Sequence, residues 1–441
     1  MSLSTPPKIQ KLRESLYAKA KQEPACRFRF LYDKMYREDI LAHAYALSRS
    51  NGGAPGADGQ SFEDIESMGA EGWLAGLKEE LHDERYRPQA VRRVMIPKAS
   101  GVGERPLGIP TIRDRVVQTA AKLVLEPIFE ADFDEAAHGY RPGRNAQQAV
   151  QKVHEALREG RTEVVDADLS KYFDTIPHAE LMKCLIRRIS DGKMLHLLKM
   201  WLKVPVEERD ERGKRRMTGG KKSTRGTPQG GVISPLLANI YMNRFIKAFR
   251  KHRLDEKHGA RLVSYADDFV VLCHKGARQA LEVIRCWMTR IGLELNEEKT
   301  CVRDGRRESF DFLGYTFGPM YSPRTGGRYL GAAPSKKALQ RLKEKIRQQL
   351  RPSNLAPVEL VVSHLNRIVR GWANYFNYGT VVKARALVDR YLYERVRNFL
   401  RRRHKVSSRG TSQFPESRIF GELGVVSARK LPRLRFANAG A

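Results

Sequence analysis

Apolar positions recur at helical spacing through 8–49, where Leu12, Leu16, Phe30, Leu31, Ile40, Leu41 and Leu47 predict basic helices with one apolar side. The pattern breaks at 51–59, where four glycines and a proline impose a loop. Residues 91–96 read as a strand, 97–103 as a hairpin tip and 107–109 as its returning strand. Amphipathic stretches at 113–129 and 145–158 predict two helices. Residues 162–169 then form a strand, and 171–175 turn into a helix that starts at Pro177-His178. In 261–273, the runs Leu262-Val263 and Phe269-Val270-Val271-Leu272 flank Tyr265-Ala266-Asp267-Asp268, a strand-turn-strand unit. After Phe317, Pro319, Pro323, Gly326 and Gly327 read as a linker to a basic helix over 336–351. From 406 onward only brief apolar stretches remain, and no repeat of fixed period is visible.

The charge adds what the pattern lacks. Lys and Arg number 81 against 50 Asp and Glu in 441 residues, a net charge of +31. Such an excess calls for a polyanionic partner, and nucleic acid leads. A 41% hydrophobic share excludes a wholly disordered basic tail protein. Five cysteines without a C-x-x-C pair exclude a disulfide framework and a Cys-rich zinc site. No apolar run is long enough to span a bilayer, so a soluble intracellular protein with no membrane partner is expected.

In a chain poor in acids, carboxylates beside apolar strands call for a reason. One such Asp is adequately explained as a turn former or helix cap. Two strand-associated sites, Asp166 with Asp168 and Asp267 with Asp268, point instead to a divalent metal centre, because Mg²⁺ takes oxygen ligands from carboxylates and substrate phosphates. Two metals held this way suit in-line nucleotidyl transfer.

These residues carry a resemblance. Tyr265-Ala266-Asp267-Asp268 resembles the YxDD box of reverse transcriptases, in the form typical of group II intron-encoded proteins. Asp168-Leu169-Ser170-Lys171-Tyr172-Phe173-Asp174 matches the family's other catalytic block, and the run from Thr227-Pro228-Gln229-Gly230-Gly231 to Leu237 its PQG block. Ile96-Pro97-Lys98 through Arg105 to Pro110 is similar to the fingers hairpin, and His138 to Gly143 to the block that follows it. Residues 293–300 and Phe312-Leu313-Gly314-Tyr315 resemble the last palm blocks, including the primer grip. Arg370-Gly371-Trp372-Ala373-Asn374-Tyr375-Phe376 resembles the maturase signature. Ser264 stands where relatives often carry Arg.

The resemblance implies an α+β right-hand polymerase, with fingers and palm built on antiparallel sheet, followed by an α-helical thumb or maturase domain. The expected divisions are a helical extension over 1–50, fingers and palm over 51–320, thumb over 335–405 and a basic tail over 406–441 that could bind DNA. Asp168, Asp267, Asp268 and the Leu169 carbonyl are expected to hold two Mg²⁺. Phe173 is the implied steric gate against ribose, Gln229 lies against the incoming nucleotide, and Lys98 and Arg105 reach its triphosphate.

Seven Lys/Arg in 336–351 and six in 395–405 give Lys336, Lys337, Arg341, Arg401, Arg402, Arg403 and Lys405 as RNA-binding candidates. Nearby Tyr375, Phe376, Tyr378, Tyr391 and Tyr393 read mainly as thumb core. A third basic cluster, 212–225, borders the PQG block. No cysteine follows Cys301, so the metal-dependent HNH nuclease of many relatives is not expected. The implied protein is a bacterial, cytoplasmic and nucleoid-associated RNA-directed DNA polymerase and maturase. Its expected partners are group II intron RNA, RNA template with DNA primer, target DNA and deoxynucleoside triphosphates. Alternatives are a relative recruited to DNA repair or phage defence, a non-catalytic RNA-binding splicing factor, and an RNA-templated RNA polymerase.

Overall fold

The computed structural model describes residues 3–97, 103–209, 214–322 and 324–433. Three helices open the chain, α1 (Pro7–Gln22), α2 (Tyr32–Met35) and α3 (Glu38–Asn51), and α4 (Phe62–Met68) and α5 (Ala70–His82) follow the glycine-rich loop. Strands β1 (Val91–Pro97) and β2 (Glu104–Ile109) precede two long helices, α6 (Ile112–Glu130) and α7 (Ala146–Arg158). Next come β3 (Glu163–Asp168), α8 (Tyr172–Thr175), α9 (His178–Ile186), α10 (Gly192–Leu202), β4 (Pro205–Arg209) and β5 (Arg215–Gly219). Helices α11 (Ser234–Lys251) and α12 (Leu254–Lys257) lead to β6 (Arg261–Tyr265), β7 (Asp268–Cys273) and α13 (Ala277–Arg290). Strands β8 (Cys301–Asp304), β9 (Phe310–Phe312), β10 (Tyr315–Tyr321) and β11 (Arg328–Pro334) then give way to α14 (Lys336–Gln349), α15 (Val358–Tyr375) and α16 (Val382–Arg403). No helix among the described residues is long and apolar enough to cross a membrane.

The central sheet is antiparallel in the order β6-β7-β3-β8. Of its middle strands, β7 is apolar from Phe269 to Cys273 without alternation because both faces are covered, whereas β3 carries Glu163, Asp166 and Asp168 among its apolar residues. Val165, Ala167, Phe269, Val271 and Cys273 enter the core built with α6, α9, α11 and α13. Val164, Val270 and Leu272 enter a second core with α7, β9 and β10. Helix α6 is buried almost throughout, with α1 and α3 laid against it, so the N-terminal helices share the palm's core.

A second sheet, β2-β1-β4-β5, carries the fingers hairpin. The basic cluster expected over 212–225 supplies β5 and a following turn, while residues 212 and 213 lie outside the described residues. The linker expected after Phe317 is a β-hairpin instead, because β10 and β11 pair from Tyr315 opposite Pro334 to Tyr321 opposite Arg328, while Pro323 lies outside the described residues. Pairing with β9 stops at Phe317, so Pro319 sits where β10 is an edge, a place that tolerates a missing N–H.

Helices α14, α15 and α16 pack into a separate core through Leu342, Ile346, Val361, Leu365, Val388 and Leu392. Residues 407–433 cover that core, burying Phe414, Ile419, Val425 and Ala428. Two buried ionic side chains on α16 hold this segment down. Arg385 donates to the carbonyls of Ala428 (3.2 Å), Leu431 (2.5 Å) and Pro432 (2.9 Å). Asp389 accepts from the Ser427 hydroxyl and the Ala428 N–H, each at 2.6 Å, and pairs with Arg429 at 2.9 Å.

Removing one partner from a buried charged network leaves the others unsatisfied, at a cost of about 3 kcal/mol. Asp389→Ala is therefore expected to lower the thermal midpoint and to open 407–433 to limited proteolysis. A cleavage pattern identical to that of the unaltered protein would show that Asp389 does not anchor the segment.

Candidate active site

Strands β3 and β7 end together, with Asp168 directly opposite Asp268. Tyr265 pairs with Asp268, so Ala266 and Asp267 form a two-residue turn at the tip of the β6–β7 hairpin. Ala266 holds φ +58°, a conformation that costs a side-chain-bearing residue energy and persists only where its surroundings impose it. Here the support comes from the segment before α7. His138 N–H donates to the Ser264 carbonyl at 2.9 Å, and Ser264 N–H to the Ala136 carbonyl at 2.8 Å. A Cβ on Gly139 would lie 2.4 Å from the Ala266 nitrogen, so only glycine lets this segment touch the turn. Asn239 of α11 fixes it from behind by donating to the Gly139 carbonyl at 2.7 Å. Ser264 itself is buried.

Asp168, Asp267 and Asp268 thus occupy neighbouring positions at one end of the two central strands. Asp268 is open to solvent on one side and crowded by protein on the others. That crowding, then the nearby Asp267, Asp168 and Asp166 carboxylates, pushes its carboxyl up to about 7. Burial raises Asp267 as well and moves Asp166 up to about 6, with Asp311 and Asp168 adding to the rise. The Lys299 ammonium lies 2.8 Å from Asp168 Oδ2, and this hydrogen bond raises the lysine in turn. A cation is therefore already drawn to the cluster.

The donor set suits a hard divalent cation, since its side-chain donors are carboxylate oxygens held close enough to raise one another's pKa. Among the described residues no three His, Cys, Asp or Glu side chains converge as a ready-made metal site. The Leu169 carbonyl faces the side of these carboxylates. The Asp168 carbonyl accepts from Asn296 N–H at 2.8 Å on the side away from β7. Successive carbonyls alternate along a strand, so that of Leu169 faces the β7 side.

Phe173 lies on α8 beside the cluster, its ring 6.3 Å from Tyr140 and 5.7 Å from Tyr172. Thr227 N–H donates to the Phe173 carbonyl at 2.7 Å, which ties α8 to the Pro228-Gln229-Gly230 turn. Gln229 Nε2 donates to Asp174 Oδ2 at 2.9 Å. The same turn crosses β2 closely: the Gln229 carbonyl accepts from Gly108 N–H at 2.5 Å, and a Cβ on Gly230 would lie 2.1 Å from the Gly108 carbonyl. Arg105 on β2 is exposed and near enough to Tyr140 to act on its hydroxyl. Lys98 lies outside the described residues.

The basic candidates are not gathered in one place. Lys336, Lys337 and Arg341 are exposed on the first half of α14, next to Gly314, whose carbonyl accepts from Ser335 N–H. Arg402, Arg403 and Lys405 are exposed at the end of α16, and Arg401 is half-buried. Arg403 donates to the Ala356 carbonyl at 2.7 Å, beyond the far end of α14. Two clusters thus stand apart by about the length of that helix, roughly 20 Å. Phe376 and Tyr378 belong to the core beside β10.

Lys299 and Tyr140 escape a reading of the sequence by residue type. Lys299 is 131 positions from the carboxylate it pairs with. Tyr140, 48% exposed with φ +56°, stands between Phe173 and the acidic turn. Burial and the charge on Asp267 raise its hydroxyl pKa.

Comparison with known proteins identifies the family. Residues 96–317 match the family model described as reverse transcriptase (RNA-dependent DNA polymerase). Residues 339–413 match the group II intron, maturase-specific domain. Protein YkfC of Escherichia coli K12 is 34% identical over 371 residues, covering 75% of this chain and 93% of that protein. The group II intron-encoded protein LtrA of Lactococcus lactis is 29% identical over 357 residues, covering 65% of this chain and 56% of LtrA, so the chain spans little more than half of that relative. Telomerase from Candida albicans, solved in complex with a fragment of telomeric RNA, aligns over 81% of this chain and 70% of its own, with 14% identity and a TM-score of 0.42. The chain belongs to the reverse transcriptases, the RNA-dependent DNA polymerases, and carries the maturase-specific domain of group II introns.

Proposed function

We propose that this protein binds a group II intron RNA, assists its splicing, and copies it into DNA during retrohoming. The observation that carries the catalytic part is the register of β3 and β7, which sets Asp168 opposite Asp268 beside the Asp267 turn. Asp168, Asp267, Asp268 and the Leu169 carbonyl would hold two Mg²⁺. When bound, such ions stabilise charge on the transferred phosphoryl group and on the attacking and leaving oxygens.

The remaining groups serve position and selectivity. Phe173, braced by Tyr140 and Tyr172, presents an apolar ring where a deoxyribose would lie, so a 2′-hydroxyl meets carbon and finds no acceptor. Gln229 is held by Asp174 and aligns the nucleotide against the template turn. Arg105, together with Lys98, draws the triphosphate through charge-assisted contacts. The two thumb clusters track phosphates at separate places on the RNA, Lys336, Lys337 and Arg341 at one and Arg401, Arg402, Arg403 and Lys405 at the other.

Primer extension on an RNA template with the purified chain tests the catalytic reading, and sequencing of RNA retained from the native host tests the maturase reading. One dominant structured RNA with intron ends supports the latter, and a mixed population overturns it. Asp267→Asn is expected to reduce DNA synthesis by about 1,000-fold or more while leaving RNA affinity within about twofold. Simultaneous loss of both would assign the turn a structural role only. Phe173→Ala is expected to raise ribonucleotide incorporation by tenfold or more relative to deoxynucleotides. Unchanged sugar selectivity would remove Phe173 from the gate.

The acidic cluster also has a signature without metal. Because Asp268 titrates near 7 in the folded chain and near 4 when unfolded, its ionisation destabilises the metal-free fold increasingly above about pH 4, with a plateau above about pH 7. Asp268→Asn is expected to raise the melting temperature in chelator by about 2 °C near pH 8 and by less near pH 5.5. An equal gain at both pH values would refute charge repulsion as the cause.

A further inference from the structure

Behind the palm, a cavity of about 330 Å³ opens between α6, α9, α11 and α13. These helices pack on the face of the central sheet that carries Val165 and Ala167. Asp166 and Asp168 alternate with those residues and belong to the opposite face, so the cavity is separated from the acidic cluster by the sheet.

Its floor is apolar, with Phe129 and Ile240 buried and the half-buried indole of Trp287 beside the His252 ring at 5.1 Å. Its rim is cationic. Arg188 and Arg244, which also line it, are matched by Asp132 and Glu180. Arg187, Lys247, Lys251 and Arg290 are exposed, and among the described residues none of the four has an acidic partner. They come from α11, α13 and the residue that follows α9 and converge on one opening, an arrangement that is self-repelling until an anion enters.

One polar group inside is also unsatisfied. Asn243 is 7% exposed and donates through Nδ2 to the Asp132 carbonyl at 3.2 Å. Its Oδ1, in the cavity wall, is buried without a hydrogen-bond partner. An aromatic wall, a lone acceptor and a ring of unmatched cations together fit a planar base with N–H groups and attached phosphate. A single mononucleotide would leave most of the four cations unmatched, whereas a strand brings one phosphate per nucleotide.

We propose that this cavity is a second nucleic-acid site, separate from the polymerase centre, that takes an unpaired base and flanking phosphates of a bound RNA. It rests on the RNA-binding reading given above and is independent of the catalytic one. The base stacks on Trp287 and donates to Asn243 Oδ1, and the backbone runs across Arg187, Lys247, Lys251 and Arg290.

The test uses the full chain with Lys247→Gln, Lys251→Gln and Arg290→Gln combined, all at exposed positions. Binding of a fluorescein-labelled uridine homopolymer is followed against salt. The triple variant is expected to bind about tenfold more weakly at about 0.15 M salt, with the log–log salt slope reduced by about 2, while primer extension on a pre-annealed template is unchanged. An abasic strand of equal length is expected to bind the unaltered chain several-fold more weakly than the homopolymer, and Trp287→Leu to erase that difference. An unaltered slope in the triple variant, or equal binding of abasic and uridine strands, overturns the proposal. Competition by uridine monophosphate at matched nucleotide concentration would make the cavity a mononucleotide site and overturn the RNA assignment. If the unaltered chain binds no RNA, the RNA-binding reading itself fails with it.

Discussion

The structure depends on holding like charges together at the end of two paired strands. Asp168 and Asp268 face one another across β3 and β7, a pairing that is unfavourable wherever both carboxylates are ionised. The strands accept it because Val164, Val165 and Ala167 of β3 and Phe269 to Cys273 of β7 are buried in cores on both faces, so moving the carboxylates apart would expose two cores at once. Lys299 relieves part of the repulsion through Asp168. The rest persists as a raised pKa on Asp268, an affinity for cations built into the fold.

The same constraint explains how the surrounding parts are arranged. The turn at Ala266 and Asp267 could relax and spread the charges, and it is prevented from doing so by main-chain bonds to 136–138 and by the contact that Gly139 alone permits. Asn239 of α11 and the bridge between Leu169 and Leu295 brace the two sides of the site. Fingers and palm are joined in a similar way, by main chain meeting main chain where Gly108 and Gly230 pass each other. Glycine matters at these crossings because a side chain there would separate the elements that bring Gln229, Arg105 and Phe173 towards the acidic turn.

Much of this was legible in the sequence where one local rule acted alone. The uninterrupted run from Phe269 to Cys273 marks a strand buried on both faces, and an acidic pair at its start cannot be ordinary core. The reading failed where a distant partner decides the structure. Pro319, Gly326 and Gly327 are turn and breaker residues by type, yet a partner strand makes their segment a hairpin. β5 is a run of cations and polar residues that becomes a strand only because β4 lies beside it. The pairing of Lys299 with Asp168 bridges 131 positions and leaves no mark on either neighbourhood. The few scattered apolar side chains of 407–433 do not decide whether that segment covers the thumb, because Arg385 and Asp389, the groups that fasten it, lie on α16.

The distribution of charge is the remaining argument about partners. A net charge of +31 gathered on one groove would describe an enzyme that holds only its template duplex. Here three groups of exposed cations stand at the start of α14, at the end of α16 about a helix length away, and around a cavity on the reverse of the palm. The palm sheet lies between the cavity and the acidic cluster, so a straight duplex seated on the acidic cluster would not reach the cavity rim. A folded RNA that wraps the protein can neutralise the three groups together, with each patch adding to the salt dependence of the whole. Such a surface gives the chain a reason to hold one large RNA while its active site handles only a few nucleotides at a time.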